Sequence, residues 1–420
     1  MQRASKVLPQ ATSRCSSPLE QSILGPVRLH ALASLLLTAC ASHAAALPPP
    51  PPSVPTPAPA PVLSVHAIAE DWRAAHRLID LHTHVAPDPE RLAQAVRVFD
   101  AVGVGVAVNL SGGTVTHVAR QPSPFERSKT LADQYFPGRF LEYMNLDYSD
   151  WDAPDFAQRA VAQVEEGARL GAAGFKEFKR LGLFLRDKSG QLLKIDDAKL
   201  DPMWRRLGEL GMPVSIHVAD PKAFWGPYDK TNERWTELKD HPGWWFGDRT
   251  KFPPREMLLG ALERVIARHP ETTFVCVHFA NNAEDLAWVD AQLDAHPNMM
   301  LDVAARIPEI GRQDPNRVRA VFLKHADRIL FGTDFQVSER VTLGSGGNGP
   351  PPTETDAIVF FQKHWRFFES ADKGFPHMTP IQGDWTIDAI DLPAEVLARV
   401  YFENARRLLA APLAKLQRGI

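Results

Sequence analysis

Leu78-Ile79-Asp80-Leu81-His82-Thr83-His84 is the stretch whose reading decides the fold. A mostly apolar run leads into two histidines spaced by one, and in a strand residues two apart point to the same face. Two imidazoles so placed can converge on one ion, as on the first strand of a metal-binding barrel. With 15 histidines in 420 residues, chance supplies roughly 0.5 such pairs per chain. The pattern therefore has weight only if other strands corroborate it.

From Leu78 onward the chain alternates β-rich runs with longer amphipathic stretches, the pattern of parallel βα units. Eight strands are expected, at Leu78–His82, Val104–Leu110, Arg139–Leu146, Gly174–Phe178, Pro213–His217, Thr273–His278, Met299–Val303 and Arg328–Thr333. Between them lie helical patterns such as Asp155–Leu170, where Phe156, Ala160, Val161, Val164 and Ala168 recur at helical spacing. The expected fold is α/β, a (β/α)8 TIM-type barrel with long loops after strands five and eight. No GxGxxG follows the first strand, which disfavours a doubly wound sheet. The segment Val218–Pro254 carries Phe224, Trp225, Tyr228, Trp235, Trp244, Trp245 and Phe246, and suits a substrate lid or a satellite core that fastens a long loop. The segment Phe335–Thr355 is rich in Gly and Pro.

Three further strands end in residues fit for metal binding or proton transfer: His217 after Val214-Ser215-Ile216, His278 after Val275-Cys276-Val277, and Asp334 after Phe331-Gly332-Thr333. One such histidine alone is more often a hydrogen-bonded rim residue. Together they differ, because a barrel gathers the C-terminal ends of its strands around one rim. Imidazoles with a carboxylate suit Zn²⁺ or a similar divalent ion.

This ordered set resembles the amidohydrolase superfamily of metal-dependent barrels. The likeness is to its amidohydrolase-2 branch, which includes aminocarboxymuconate-semialdehyde decarboxylase-like and dicarboxylate lactonase-like enzymes. It covers residues 78–410. The resemblance implies that His82, His84, His217 and Asp334 ligate one divalent ion, with zinc expected and Mn, Fe or Co as alternatives. His278 is implied beside the metal as an acid/base or orienting group, with Asp334 also handling a proton. Strand four reads Gly174-Phe175-Lys176-Glu177-Phe178-Lys179, and either lysine can face the site depending on register. One metal is favoured over two. An inward ammonium near a cation calls for an anion, so a small carboxylated substrate is expected, held by Lys176, Lys179, Arg306 and Trp225. Asp80 reads as a carboxylate that orients a ligand imidazole, or as a structural acid in the barrel floor. Cys276 reads as a packed strand residue.

The expected reaction is metal-dependent hydrolysis of an ester, lactone or amide. Nonoxidative decarboxylation or hydration of an unsaturated acid is the alternative. A noncatalytic ligand-binding lipoprotein is the alternative of another class. A net charge of −3 with no dense basic run disfavours nucleic acid as partner, and a homo-oligomer is allowed.

The N-terminus reads separately. Arg28 and His30 precede the apolar stretch Ala31–Ala39, which ends Leu37-Thr38-Ala39-Cys40. It is too short to span a bilayer and resembles a bacterial lipoprotein signal. Residues 1–39 are thus expected to be a leader and signal peptide. The segment 40–77 is a lipidated Cys40, Pro-rich tether and lead-in, 78–410 the barrel, and 411–420 a tail. Residues 48–61 hold nine prolines, a composition that favours extended polyproline II. The location expected is the cell envelope, facing the periplasm in a Gram-negative cell, with membrane contact through the lipid alone.

Overall fold

The computed structural model describes residues 64–418. The leader, Cys40 and the proline tether lie outside the described residues. Helix α1, Val65–Ala74, is capped by Ser64, whose hydroxyl accepts from the Ala67 amide. It leads through Ala75-His76-Arg77 into strand β1, Leu78–Val85. Strands β2 (Val104–Asn109), β3 (Phe140–Met144), β4 (Gly174–Glu177), β5 (Val214–Ile216), β6 (Phe274–Cys276), β7 (Met299–Asp302) and β8 (Ile329–Leu330) follow. Each pairs in parallel with its predecessor.

The sheet curls until its ends meet. Leu81 donates its amide to Phe331 O at 3.0 Å, and Asp334 donates to His82 O at 2.8 Å, so the segment after β8 pairs with β1. The expected TIM-type barrel is present. The Gly- and Pro-rich segment after it is more ordered than expected. Its first part forms β9, Phe335–Val337, parallel to β1, and β10, Val341–Leu343, antiparallel to β9.

Helices form where caps and apolar spacing agree. Helix α2, Pro89–Val102, begins at Asp88, whose carboxylate accepts from Glu90 and Arg91 amides, and has proline at its first turn. It ends at Gly103 with φ +79°. A Cβ there would lie 2.4 Å from Arg73 Cα, so only glycine allows α1 to approach β2 so closely. Helix α3 spans Pro124–Tyr135, closed by a Ser123/Glu126 capping box. Helix α4, Phe156–Leu170, buries Phe156, Ala160 and Val164, the face its spacing predicts. Helix α5 is Asp201–Glu209, and the long segment after β5 contains α6, Trp235–Asp240, before α7, Arg255–Arg268.

Both chain ends of the domain lie at the N-terminal end of the barrel. His66 and Arg73 of α1 both reach Glu369, at 2.7 Å and by an ion pair, and Glu369 ends the helix Glu354–Glu369. Residues expected as a tail instead form the helix Ala410–Arg418. Its Leu413 and Leu416 pack on the core.

Candidate metal centre

Strand β1 points Asp80, His82 and His84 inward, and each does a different task. The Asp80 carboxylate accepts from the His82 and Thr333 amides at 3.0 and 3.2 Å and from the Thr333 hydroxyl at 2.5 Å. It joins β1 to the segment that carries Asp334. Asp80 is therefore the structural acid, and the carboxylate that orients His82 is Asp302. Asp302 ends β7, with Oδ2 2.8 Å from His82 Nδ1 and Oδ1 accepting from the His278 amide at 2.8 Å. Nothing in the sequence singled Asp302 out, although an acid closing the apolar run Met299-Met300-Leu301 was the available signal.

Four imidazoles share one arrangement: one nitrogen is tied to the protein and the other is left to the cavity. His278 Nδ1 lies 2.8 Å from Ala304 O. A carbonyl only accepts, so the proton sits on Nδ1 and Nε2 carries a lone pair. His217 is the reverse, with Nε2 2.9 Å from Ala219 O, which leaves Nδ1 with the lone pair. His82 Nδ1 is held by Asp302 and His84 Nδ1 by Ser111 Oγ at 2.7 Å. His82 Nε2 is buried with no hydrogen-bond partner among the described residues.

These free nitrogens meet Asp334. Its Oδ1 lies 3.7 Å from His82 Nε2 and 3.4 Å from His84 Nε2, and donor atoms of the three residues all lie within 4.8 Å of one another. The His82 ring is 4.9 Å from that of His278, which is 4.4 Å from His217. Thus His82, His84 and Asp334 form the tight group. His217 stands one ring further round the same cavity.

Burial and like charge keep the imidazoles neutral. Desolvation, then the positive charges of Lys176 and Arg306, hold His82 well below its ordinary value. Desolvation also lowers His84 and His278, and brings His217 down to about 4. Desolvation raises Asp302 to about 6 and pushes Asp334 up, against the pull of Lys176 and Arg306. A buried cluster of neutral imidazoles with an orphaned Nε2 and carboxylates strained toward protonation is short of a cation. The donor set fits a divalent ion of the imidazole- and carboxylate-binding kind.

Of the two strand-four lysines, Lys176 faces this group. It is 1% exposed, and among the described residues its Nζ has no hydrogen-bond partner. Burial lowers its pKa, while Asp302 and Asp334 pull the other way. Lys179 also lines the cavity, but its Nζ is engaged by Asp220 Oδ2 at 2.6 Å. Arg306 lines it too, with Nη1 on Ala305 O at 2.8 Å. Trp225 does not. Its indole donates to Pro253 O at 3.0 Å, and its ring packs 4.8 Å from Phe246. The tryptophan on the cavity wall is Trp244, stacked on His241 at 3.9 Å. The aromatic segment is thus both a satellite core and a wall.

The cavity has a volume of about 630 Å³, and its outer walls are tied together. His241 donates from Nε2 to Gly346 O at 2.6 Å, and Asn348 donates its amide to Asp240 at 2.9 Å. Behind it, buried Arg255 donates to Asp220 O, Asn281 O and Asn282 Oδ1 at 2.8, 2.7 and 3.0 Å. It clamps the segments that follow His217 and His278. The second of these is strained: His278, Phe279, Ala280 and Asn281 all have φ between +54° and +62°, a left-handed run without glycine. Asp334 is left-handed as well, at φ +60°.

Similarity to solved structures is remote. The chain is 16% identical to a 2,6-dihydroxybenzoate decarboxylase from Rhizobium, covering 79% of this chain and 98% of that one at a TM-score of 0.43. It is 14% identical to a dihydroxybenzoic acid decarboxylase from Polaromonas with bound manganese, covering 79% and 96% at 0.43. To an L-hydantoinase from Arthrobacter aurescens it is 12% identical, covering 80% and 71% at 0.44. No curated protein sequence matches. The amidohydrolase family model matches residues 79–410, which is most of the chain and includes every residue of the cluster. The chain therefore belongs to the amidohydrolase family of metal-dependent enzymes.

Proposed function

We propose that the protein is a hydrolase that uses one divalent ion, zinc in the first instance, to cleave an ester, lactone or amide bond in a small carboxylated molecule. The observation that carries this reading is the set of four imidazoles, each with one nitrogen tied back to the protein and the other left to one cavity, the tied nitrogens of His82, His217 and His278 facing acceptor-only oxygens. His82, His84, His217 and Asp334 hold the ion. When bound, it supplies Lewis acidity and a more acidic water near neutral pH.

The chain's own groups do the rest. His278 Nε2 accepts a proton from the attacking water and returns it to the leaving group, while the Asp302 carboxylate below keeps the His278 backbone and the His82 ring in place. Lys176, the unpartnered ammonium, takes the substrate carboxylate, and Arg306 provides a second cationic contact at the cavity wall. Lys179 acts through Asp220, and Trp244 rather than Trp225 presents a flat face to the substrate. We further propose that the enzyme is anchored in the cell envelope by lipid on Cys40.

The test is metal content per folded chain, followed by turnover on esters, lactones, amides and unsaturated carboxylic acids, with Asp334→Asn as control. Hydrolysis that is lost with Asp334 and with the metal is expected. Release of carbon dioxide without hydrolysis would assign the lyase reaction instead. A folded protein that takes up no divalent ion defeats the reading.

A further inference from the structure

Opposite the metal centre, the N-terminal end of the barrel has a cavity of about 680 Å³ lined by His76, Arg77, Arg139, Arg406 and the helix Ala410–Arg418. Its charge is unbalanced. The guanidinium groups of Arg77 and Arg406 both lie over the Phe402 ring, 4.3 and 4.8 Å from its centroid. Among the described residues neither has a carboxylate within ion-pair distance or any hydrogen-bond partner. The one acid on the lining, Asp100, is taken by Arg139 at 2.7 Å. Burial and then the Arg77 charge disfavour the charged form of Arg406, and an anion that pairs with either guanidinium reduces that penalty.

The sequence at this face agrees. From Phe402 to Ile420 the chain carries Arg406, Arg407, Lys415 and Arg418 against one acid, Glu403, which favours the charged form of Arg406, in a protein whose net charge is −3. The helix Ala410–Arg418 also borders a second cavity of about 370 Å³, where Lys415 sits beside Pro137, Pro412 and Leu416 and where Lys129 is paired with Asp133. The helix thus presents Lys415 beside apolar neighbours on one side, while Arg406 lines the cavity on the other. Chain entry is at the same end, because α1 runs from Ser64 to the start of β1, and 63 residues including the proline tether precede it.

We propose that this face docks on a membrane through anionic phospholipid headgroups, whose phosphates pair with Arg77 and Arg406. Guanidinium forks match phosphate geometry, and basic residues beside a lipid anchor are attracted to an anionic surface. A single acyl chain gives only marginal attachment, and a basic patch supplies the second signal. Docking this way turns the metal centre away from the bilayer. The inference rests on the envelope location proposed above but is tested apart from it.

The experiment uses the processed chain, residues 40–420 with Cys40→Ala, so that neither leader nor lipid is attached, and sedimentation with vesicles of phosphatidylcholine alone or mixed with phosphatidylglycerol. Binding to the mixed vesicles only, weakened by salt and reduced at least tenfold in Arg77→Glu/Arg406→Glu, is expected. The single variant Lys415→Glu, at an exposed position, should weaken binding in the same direction, and thermal unfolding of each variant checks that it is folded. Equal binding to both vesicles, or binding indifferent to these changes, overturns the proposal. So does Arg77-dependent binding of inorganic phosphate without vesicle binding, which would mark a free-phosphate site. Mass analysis of Cys40 in the envelope-expressed protein tests the anchor itself, so the two can fail separately.

Discussion

The C-terminal rim of the barrel and its N-terminal face both concentrate charge, but they manage it differently. At the rim, Asp302, Asp334, Lys176 and four histidines are withdrawn from water, and their protonation states depend on one another. At the opposite face Arg139 and Asp100 form a partly exposed pair, with side chains 23% and 51% exposed. Arg406 is open to solvent. Water already screens the Arg139–Asp100 pair, while Arg77 still opposes the charge of Arg406; nothing screens the rim set. The contrast teaches that a burial pattern, more than a charge count, marks where a ligand must bring its own charge.

Removing a rim partner should therefore have large effects. Asp302→Asn keeps the shape but loses the charge that fixes His82, and it should lower metal affinity or activity about 10–100-fold. Metal titration and steady-state kinetics check this, and an unchanged enzyme would break the contrast. Next in size is Lys176→Met, which should raise KM for a carboxylated substrate by roughly tenfold or more, the scale of one hydrogen bond to a charged group. Kinetics with the carboxylate and its neutral amide should show the loss for the carboxylate alone; an equal loss for both would place Lys176 in a structural role. The smallest effect belongs to the other face. Asp100→Asn should change unfolding free energy by less than about 1 kcal/mol, as exposed pairs do, and a larger shift in denaturant midpoint would show that this face is coupled to the core.

What could be read before folding depended on range. The His82/His84 pair is legible because strand alternation is a local rule, and His217, His278 and Asp334 because barrel strands all end at one rim. Asp302 is harder to see, since its partner is 220 residues away and its own strand looks like any apolar run. The exchange of Trp225 for Trp244 has a similar cause. In a segment with many aromatics, which ring packs on Phe246 and which faces the cavity is settled by tertiary contacts. The helix Ala410–Arg418 escaped notice because Pro412 sits in its first turn, a position where proline is tolerated but reads as a breaker.

The left-handed run from His278 to Asn281 leaves the chain with an unusual exposure to drift. Ala280→Gly would relax a backbone held against its preference, by about 1 kcal/mol, and stability selection would welcome it. The same relaxation would free the Ala304-bound ring of His278 to wander. Glycine would also remove a methyl from a fully buried position, so the gain is partly offset by lost packing and apt to be repaid in lost turnover.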